Sequence, residues 1–181
     1  MFDQAHRIAQ AAGMEDLGVI SNVSRHDFDE RQTFAFGAPS PVIEYLSLLI
    51  ENTLLLRTNR AGRVYAGFGK LSRLEPVIER YLRIADVSER VYIFGEADWR
   101  APRHPNVRLI EMTAADHSSR EWFVIADSQN LRVALVAKAE EDFDAHGFAV
   151  QDLRAIKSSD PAVVTQLAAF AEGLIDTSLA A

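Results

Sequence analysis

Residues 91–99 read Val-Tyr-Ile-Phe-Gly-Glu-Ala-Asp-Trp, and residues 120–127 read Arg-Glu-Trp-Phe-Val-Ile-Ala-Asp. Each stretch has the composition of an apolar β-strand that is interrupted at one end by charge and a tryptophan. Trp99 and Trp122 are therefore expected where a sheet meets solvent, because an amphipathic ring suits a position with one apolar and one wet side. A small-molecule site would be built at such a position, so the two stretches also predict where a ligand binds.

The rest of the chain alternates between helical and strand-like patterns. Helices are predicted over residues 2–12, 41–57, 72–85 and from Pro161 onward, with Asp160 as the cap of the last one. Strands are predicted over residues 16–22, 31–37, 64–68, 90–95, 107–112, 120–127, 131–138 and 150–157. Residues 127–130 have the length and chemistry of a hairpin turn, so their flanking strands should be antiparallel neighbours. The predicted fold class is α/β (α+β), a single domain with a central mixed, largely antiparallel sheet flanked by helices.

The predicted helix 41–57 is apolar around most of its circumference. Ser40 is a good N-cap, and a proline at position 41 suits the first helical position. Only a narrow polar stripe remains, to which Glu44, Ser47 and Glu51 belong. Such a helix must be buried on several sides, which leaves two interpretations: a central core helix, or a helix shared with a second copy in a homodimer.

The predicted helix 72–85 opens with a capping-box pattern, in which Ser72 is followed three residues later by Glu75. Its apolar residues share one face, as expected for a helix that lies on a sheet. The segment before it runs from strand to helix like a phosphate-binding loop. However, Val64 and Leu71 stand where that loop needs glycine and a hydroxyl side chain, so the segment predicts a simple turn.

Composition excludes several classes of protein. The 181 residues contain no cysteine, which excludes a disulfide framework, thiolate metal sites and a thiol nucleophile. The net charge of −7 argues against direct binding of nucleic acid. No apolar run reaches the ~18 residues that a membrane span needs, and the N-terminus lacks a signal-peptide core. We therefore expect a cytoplasmic protein with no membrane segment.

The sequence contains no complete metal-binding or catalytic motif. Residues 142–147 begin like a calcium loop, but the twelfth position is Leu153, where the loop needs a bidentate glutamate. The five histidines have no metal-ligand spacing, and no nucleophile-elbow sequence is present. We predict no metal site and no catalytic residues, and the sequence does not identify a cofactor.

Because side chains alternate along a strand, the residues at the start of the 120–127 strand should point to two opposite faces of the sheet. Arg120 and Trp122 should share one face with Val124, while Glu121 shares the other with apolar residues. A buried, unpaired carboxylate costs several kcal/mol. Glu121 therefore pairs with an arginine or other donors, or lies at an open strand end. Both an internal contact and a ligand contact remain open interpretations.

Glu96 and Asp98 follow Gly95 just beyond a strand end, a position from which side chains reach ligands in sheet-and-helix proteins. Turn chemistry alone also explains them. Trp99 begins a loop rich in arginine and proline. Its ring suits stacking on a planar molecule, and the nearby guanidinium groups suit an anion, although an ordinary exposed loop explains the same residues.

Four blocks of sequence together resemble the DICT sensory domain, which is named for diguanylate cyclases and two-component systems. They are residues 94–98 (Phe-Gly-Glu-Ala-Asp), residues 120–124 (Arg-Glu-Trp-Phe-Val), residues 41–44 (Pro-Val-Ile-Glu) and the pair Arg80-Tyr81. The resemblance implies a bacterial intracellular sensor of α/β fold that works beside a signalling output, with a nucleotide-derived ligand or a response to light. It implies an N-terminal extension over residues 1–29 and a DICT-like domain over residues 30–178.

The resemblance and the strand-end argument together give nine candidate ligand-binding residues. They are Glu44, Arg80, Tyr81, Glu96, Asp98, Trp99, Arg120, Glu121 and Trp122. The family offers no established catalytic set. Our first hypothesis is a stand-alone sensory domain that binds a small planar or anionic molecule and signals through its apolar helix to a kinase, cyclase or transcription regulator. The alternative is a ligand-independent dimerisation or interaction module, and an enzyme is the third hypothesis.

Overall fold

The computed structural model describes residues 1–20, 28, 30–56, 62–112, 120–139 and 152–180, with side chains up to residue 178. The segment 142–147, compared above with a calcium loop, lies outside these residues. The strands are β1 (Glu15–Val19), β2 (Thr33–Pro39), β3 (Arg63–Lys70), β4 (Arg90–Glu96), β5 (Val107–Glu111), β6 (Glu121–Asp127), β7 (Arg132–Ala139) and β8 (Asp152–Ser158). The helices are α1 (Phe2–Ala11), α2 (Ser40–Leu56), a 3₁₀ helix (Leu71–Val77), α3 (Ile78–Asp86) and α4 (Pro161–Ala180).

All eight described strands form one mixed sheet in the order β1-β2-β8-β7-β6-β3-β4-β5. Four neighbouring pairs are antiparallel: β2 with β8, β8 with β7, β7 with β6, and β6 with β3. The pairs β1–β2, β3–β4 and β4–β5 are parallel. This architecture confirms the predicted fold class. The β6–β7 pair, from Glu121 opposite Lys138 to Asp127 opposite Arg132, confirms the predicted hairpin.

Helices cover both faces of the sheet, so the molecule has two hydrophobic cores. The first core lies between the sheet and α2, the 3₁₀ helix and α3, and includes Ile43, Leu74 and Val124. The second core lies between the sheet and α1 and α4, and includes Phe123 and Leu167. Successive residues of one strand enter different cores because side chains alternate across a sheet.

Helix α2 confirms the predicted helix in this region, and it buries only part of its circumference. Ile43, Leu46 and Ile50 are fully buried against the sheet. Tyr45 and Leu56 are 47% and 82% exposed. The chain by itself therefore leaves apolar surface on α2 in solvent, and the predicted homodimer through this helix stays a prediction.

The predicted capping box at Ser72 is wrong. The chain forms a 3₁₀ helix over Leu71–Val77, and an α-helix begins only at Ile78. Pro76 explains the difference, because it has no N–H and its ring collides with the carbonyl four residues earlier in an α-helix. A 3₁₀ turn is the tighter alternative that short helical segments adopt. The Ser72 hydroxyl consequently does not cap this helix and donates a hydrogen bond to Asp98 instead.

Helix α4 begins as predicted. Asp160 Oδ1 accepts hydrogen bonds from the amides of Ala162 at 2.8 Å and Val163 at 3.1 Å, so it is the N-cap of this helix. Among the helices that the structure describes, none combines the length and the apolar character needed to cross a membrane.

Candidate functional site

Both tryptophan-bearing segments lie at one edge of the sheet, which we call the upper edge and define by Lys70, Glu96 and Glu121. Lys70 at the end of β3 pairs with Glu96 at the end of β4. Since β6 is antiparallel to β3, its first residue lies at the same edge. Only β3 separates β4 from β6, so the two segments are about 10 Å apart at the usual strand spacing. The carboxyl ends of parallel strands, as here, are where open α/β sheets bind ligands.

Asp98 holds the loop after β4 against the start of the 3₁₀ helix. Its carboxylate accepts hydrogen bonds from the Ser72 amide at 2.8 Å and the Ser72 hydroxyl at 2.6 Å. Burial raises the pKa of the Asp98 carboxyl, but the hydrogen bonds from Ser72 outweigh burial and hold this pKa below its ordinary value. Asp98 is therefore ionised near neutral pH, and its carboxylate makes a tertiary contact with Ser72, which is 26 positions away.

Arg73 adds a cation beside this carboxylate. Burial lowers the pKa of the Arg73 guanidinium, and the charge of Asp98 opposes part of that shift. Sequence reasoning missed both Ser72 and Arg73 as members of the upper edge, because it assigned Ser72 to a local helix cap. The signal that could have found them was Pro76, which has no N–H to donate the first i→i−4 hydrogen bond of an α-helix capped at Ser72.

The two tryptophans lie on the same side of the sheet. Trp99 and Trp122 are partly buried, and both pack against the first core, on the side of α2 and α3. This placement confirms the predicted alternation along β6. Glu96 and Arg120 are also partly buried at this edge. The upper edge thus combines two aromatic rings with side chains of both charge signs.

Glu121 points to the opposite side of the sheet, toward α1. Its carboxylate accepts a hydrogen bond from the Phe2 amide at 3.0 Å and lies 2.9 Å from the Met1 nitrogen. The Glu121 side chain is only 8% exposed. Lys138, directly opposite on β7, binds Asp3 on α1 at 3.2 Å. Glu121 therefore has an internal partner, although the donors are main-chain nitrogens and not the arginine that was one of the predicted partners.

Arg80 and Tyr81 form a second polar cluster, between α3 and α2. Both bind the buried carboxylate of Glu51, at 2.8 Å from Arg80 Nη1 and 2.9 Å from the Tyr81 hydroxyl. The Ser47 hydroxyl donates to the same carboxylate at 3.2 Å. Burial, followed by the neighbouring Glu51 charge, raises the pKa of Tyr81 well above its ordinary value. We call these four side chains the Glu51 cluster.

The predicted site residues therefore divide among four places: the upper edge on the side of the tryptophans, the α1 side of the sheet for Glu121, the Glu51 cluster, and the surface of α2 for Glu44. Glu44 is exposed on α2, two turns before Glu51, and lies outside the Glu51 cluster. Sequence reasoning placed Glu51 in the polar stripe of the helix and did not select it. The sequence did contain a signal for Glu51. It lies four residues after Ser47, so the two side chains are neighbours on a helix that must be buried on several sides.

The carboxylates of Asp98, Glu121 and Glu51 accept hydrogen bonds from other parts of the chain. Within the residues that the structure describes, no three potential metal-ligating side chains lie together. Aromatic rings and guanidinium groups at the upper edge are instead suited to a planar or anionic molecule.

One family model matches residues 44–140, more than half of the chain, and its description is the sensory domain in diguanylate cyclases and two-component systems (DICT). The matched range includes all nine residues predicted as a ligand site. No curated protein matches the chain in sequence.

Two solved structures are similar in fold. The polyphosphate kinase from Porphyromonas gingivalis aligns with 85% of this chain and 29% of its own, at 8% identity and a TM-score of 0.55. TrmBL2, an archaeal chromatin protein whose structure shows a mode of DNA binding, aligns with 86% of this chain and 56% of its own, at 12% identity and a TM-score of 0.51. This chain spans well under two thirds of either protein. At such low identity the likeness concerns the fold alone.

Proposed function

The chain belongs to the DICT family of sensory domains, and on that premise we propose that it binds a small molecule at the upper edge of its sheet and signals the bound state to a partner protein. The partner is a kinase, a cyclase or a transcription regulator, and the domain acts in the cytoplasm beside it. We propose no contact of this domain with nucleic acid, since its net charge is −7.

One observation supports the proposal most strongly. Both tryptophan-bearing segments lie at the edge of the sheet that contains the carboxyl ends of β3 and β4. Stacking of a planar ring on an aromatic side chain contributes about 1–3 kcal/mol. Arg73 is partly desolvated there and its charge already interacts with Asp98, so the upper edge combines a cation and an anion in a weakly screened environment. A nucleotide-derived molecule offers a planar ring and charged groups. A bound flavin would in addition supply the chromophore that a response to light requires.

A chain of contacts leads from the upper edge to α2. Asp98 binds Ser72 in the 3₁₀ helix, and this helix continues directly into α3. Arg80 and Tyr81 of α3 then bind Glu51 of α2. A ligand changes the conformation of α2 only if it binds the two states with different affinity. We propose that movement of the 3₁₀ helix supplies this difference.

A binding role is also favoured over catalysis. The family description is sensory. The carboxylates of Asp98, Glu51 and Glu121 each accept hydrogen bonds from other parts of the chain. A general base engaged in this way is a poor proton acceptor for a substrate.

Calorimetric titration with nucleotides, cyclic dinucleotides and flavins tests the ligand proposal. At least one compound should bind, and Trp99→Leu should weaken it about tenfold or more, because the stacking surface is lost. Tyr92→Leu is the matched control, since it removes a partly buried ring on the other face of the sheet. Absence of binding by every compound, or equal binding by Trp99→Leu and the wild type, would contradict the proposal.

A second candidate function is a ligand-independent dimerisation module. The exposed Tyr45 and Leu56 on α2 favour it, because exposed apolar helix faces mark interaction surfaces. Light scattering should give the mass of a dimer for the wild type and of a monomer for Tyr45→Lys. Leu109→Lys is the control, since Leu109 is 38% exposed on β5. A monomeric wild type at high micromolar concentration would exclude this candidate.

A further inference from the structure

The last strand of the sheet, β5, has main-chain groups on its outer side that the sheet does not use. Among the described strands it pairs only with β4, in parallel and along its whole length. Just after β5, the Met112 amide donates a hydrogen bond to the carbonyl of Gly95 in β4. The main-chain groups of successive residues in a strand point to alternate sides. Leu109 and Glu111 therefore direct both their N–H and their C=O away from β4, where a further strand can pair with them.

The strand at the other end of the sheet, β1, is protected against such pairing. Its register against β2 shifts between Asp16 and Val19, and Gly18 between them has a φ of +66°. Irregularities of this kind prevent an edge strand from pairing with other chains. The pairing of β5 with β4 contains no register shift, and Leu109 at its centre is 38% exposed. Of these two strands, β5 is the one suited to accept another strand.

The surface at β5 is basic, although the chain as a whole has a net charge of −7. Arg100, Arg103 and Arg108 are exposed, and none of them forms an ion pair with another residue that the structure describes. Residues 99–110 include these three arginines and contain no Asp or Glu. A local positive charge of this kind attracts a negatively charged partner and orients its approach.

The loop before β5 is fixed against the end of α3. His104 Nε2 lies 3.2 Å from Asp86 Oδ1, and Asn106 Nδ2 donates a hydrogen bond to the carbonyl of Ala85 at 3.0 Å. These contacts hold the main chain on both sides of position 105, directly before the first residue of β5. Arg103, which precedes His104, is therefore kept near the start of the strand. A surface that is formed before the partner arrives has a smaller ordering cost on binding.

The charge distribution selects a short acidic peptide segment as the occupant. A long nucleic acid or an anionic membrane surface would extend past the arginines and meet the acidic remainder of the protein. A second copy of β5 would bring the same arginines to the same edge, and like charges repel. A peptide also supplies the N–H and C=O groups that pair with Leu109 and Glu111. Because Glu111 is exposed at the far end of β5, the acidic residues of the segment should lie beside Arg103 and Arg108.

We propose that β5 binds an extended acidic segment of the partner protein, which adds a strand to the sheet. The main chain of this segment pairs with Leu109 and Glu111, and its carboxylates bind Arg103 and Arg108. The inference rests on the proposed function, because it assigns the partner contact of the sensory domain to this strand. Since β5 pairs directly with β4, and β4 ends at the upper edge, the proposed ligand and the partner act on neighbouring strands.

NMR titration of the full chain, with no upper-edge ligand present, tests this site. The probe is a peptide of about nine residues, within the usual length of a strand, in which Glu and Asp alternate with Val. The amides of Leu109 and Glu111 should shift in a saturable way and exchange more slowly with solvent. The same peptide with Lys at the acidic positions should bind about tenfold more weakly or worse, because like charges then face each other.

Two further probes separate strand addition from simple charge attraction. The acidic peptide with all its main-chain nitrogens methylated keeps the charge but has no N–H to pair with β5, so it should lose binding. A thymidine oligonucleotide should bind more weakly than the acidic peptide. Absence of saturable shifts with the acidic peptide would overturn the proposal. Equal binding of the lysine peptide, the methylated peptide or the oligonucleotide would overturn it as well.

Variants of the protein test the same contacts from the other side. Leu109→Pro removes an N–H that points away from β4, a position at which edge strands tolerate proline, and should lose binding of the acidic peptide. Arg108→Glu should weaken this peptide about tenfold or more. Arg7→Glu, at an exposed position on α1, changes the net charge equally and should leave binding unchanged.

Equal effects of the two charge reversals would overturn the proposal, and so would unchanged binding by a folded Leu109→Pro variant. If Leu109→Pro does not fold, the comparison of Arg108→Glu with Arg7→Glu decides. Because none of these measurements includes an upper-edge ligand, failure here is distinct from failure of the ligand proposal.

Discussion

Replacing Gly67 with alanine will lower the free energy of unfolding by about 3 kcal/mol, near the top of the range for overpacked cores. A Cβ at Gly67 would lie 2.1 to 2.7 Å from three ring atoms of Phe123. This ring is 5% exposed and packs against Phe94 with the ring centroids 5.5 Å apart. Because the ring is enclosed, it cannot move aside without displacing other core side chains. Urea denaturation of the variant and the wild type measures the loss.

Gly173→Ala is the matched control for this experiment. Gly173 lies in α4, and, apart from its chain neighbours and the backbone of its own helix, no heavy atom of the described residues lies within 4 Å of the position that a Cβ would take. The same substitution there should stabilise the protein by about 0.5–1 kcal/mol, because alanine is the better helix former. Adding Phe123→Leu to Gly67→Ala should recover part of the lost stability, since the two side chains compete for one space. Equal effects of the two alanine variants would refute the steric explanation.

The sequence predicts the elements whose signals are local. The hairpin follows from four turn residues between two apolar runs, and the start of α4 follows from Asp160 before Pro161. The alternation along β6 correctly separated Trp122 from its neighbours on the strand. Each of these features depends on residues within a few positions of one another, so pattern and propensity are sufficient.

The sequence does not predict the features that depend on distant partners. The central pairing of β2 with β8 joins residues more than a hundred positions apart, such as Phe34 and Lys157, and no local pattern encodes that choice. The same limit applies to the site. Ser72 has the local signature of a helix cap, but its hydroxyl binds Asp98, which is 26 positions away. The Ser72 hydroxyl could form either a local cap or a tertiary hydrogen bond, and in the structure it forms the tertiary one.

Replacing Glu121 with leucine will destabilise the protein by about 3 kcal/mol, because removing the acceptor leaves buried donors without a partner. The donors are the Phe2 amide at 3.0 Å and the Met1 nitrogen at 2.9 Å. The neighbouring pair of Lys138 and Asp3 also joins the sheet to α1, but its Asp3 side chain is 80% exposed. Lys138→Met should therefore cost less than about 1 kcal/mol, as expected for an exposed ion pair.

Hydrogen exchange will show where the stability is lost. Without Glu121, the amides of α1 should exchange much faster than those of β6 and β7, because Phe2, Ala5 and Ala9 pack on the sheet only while the start of the helix is held. The Lys138→Met variant should keep the protection of α1. If Glu121→Leu kept both its stability and the protection of α1, the contact with Phe2 would be incidental. The carboxylate would then have to be explained by a ligand, which was the other interpretation of the Arg120-Glu121-Trp122 sequence.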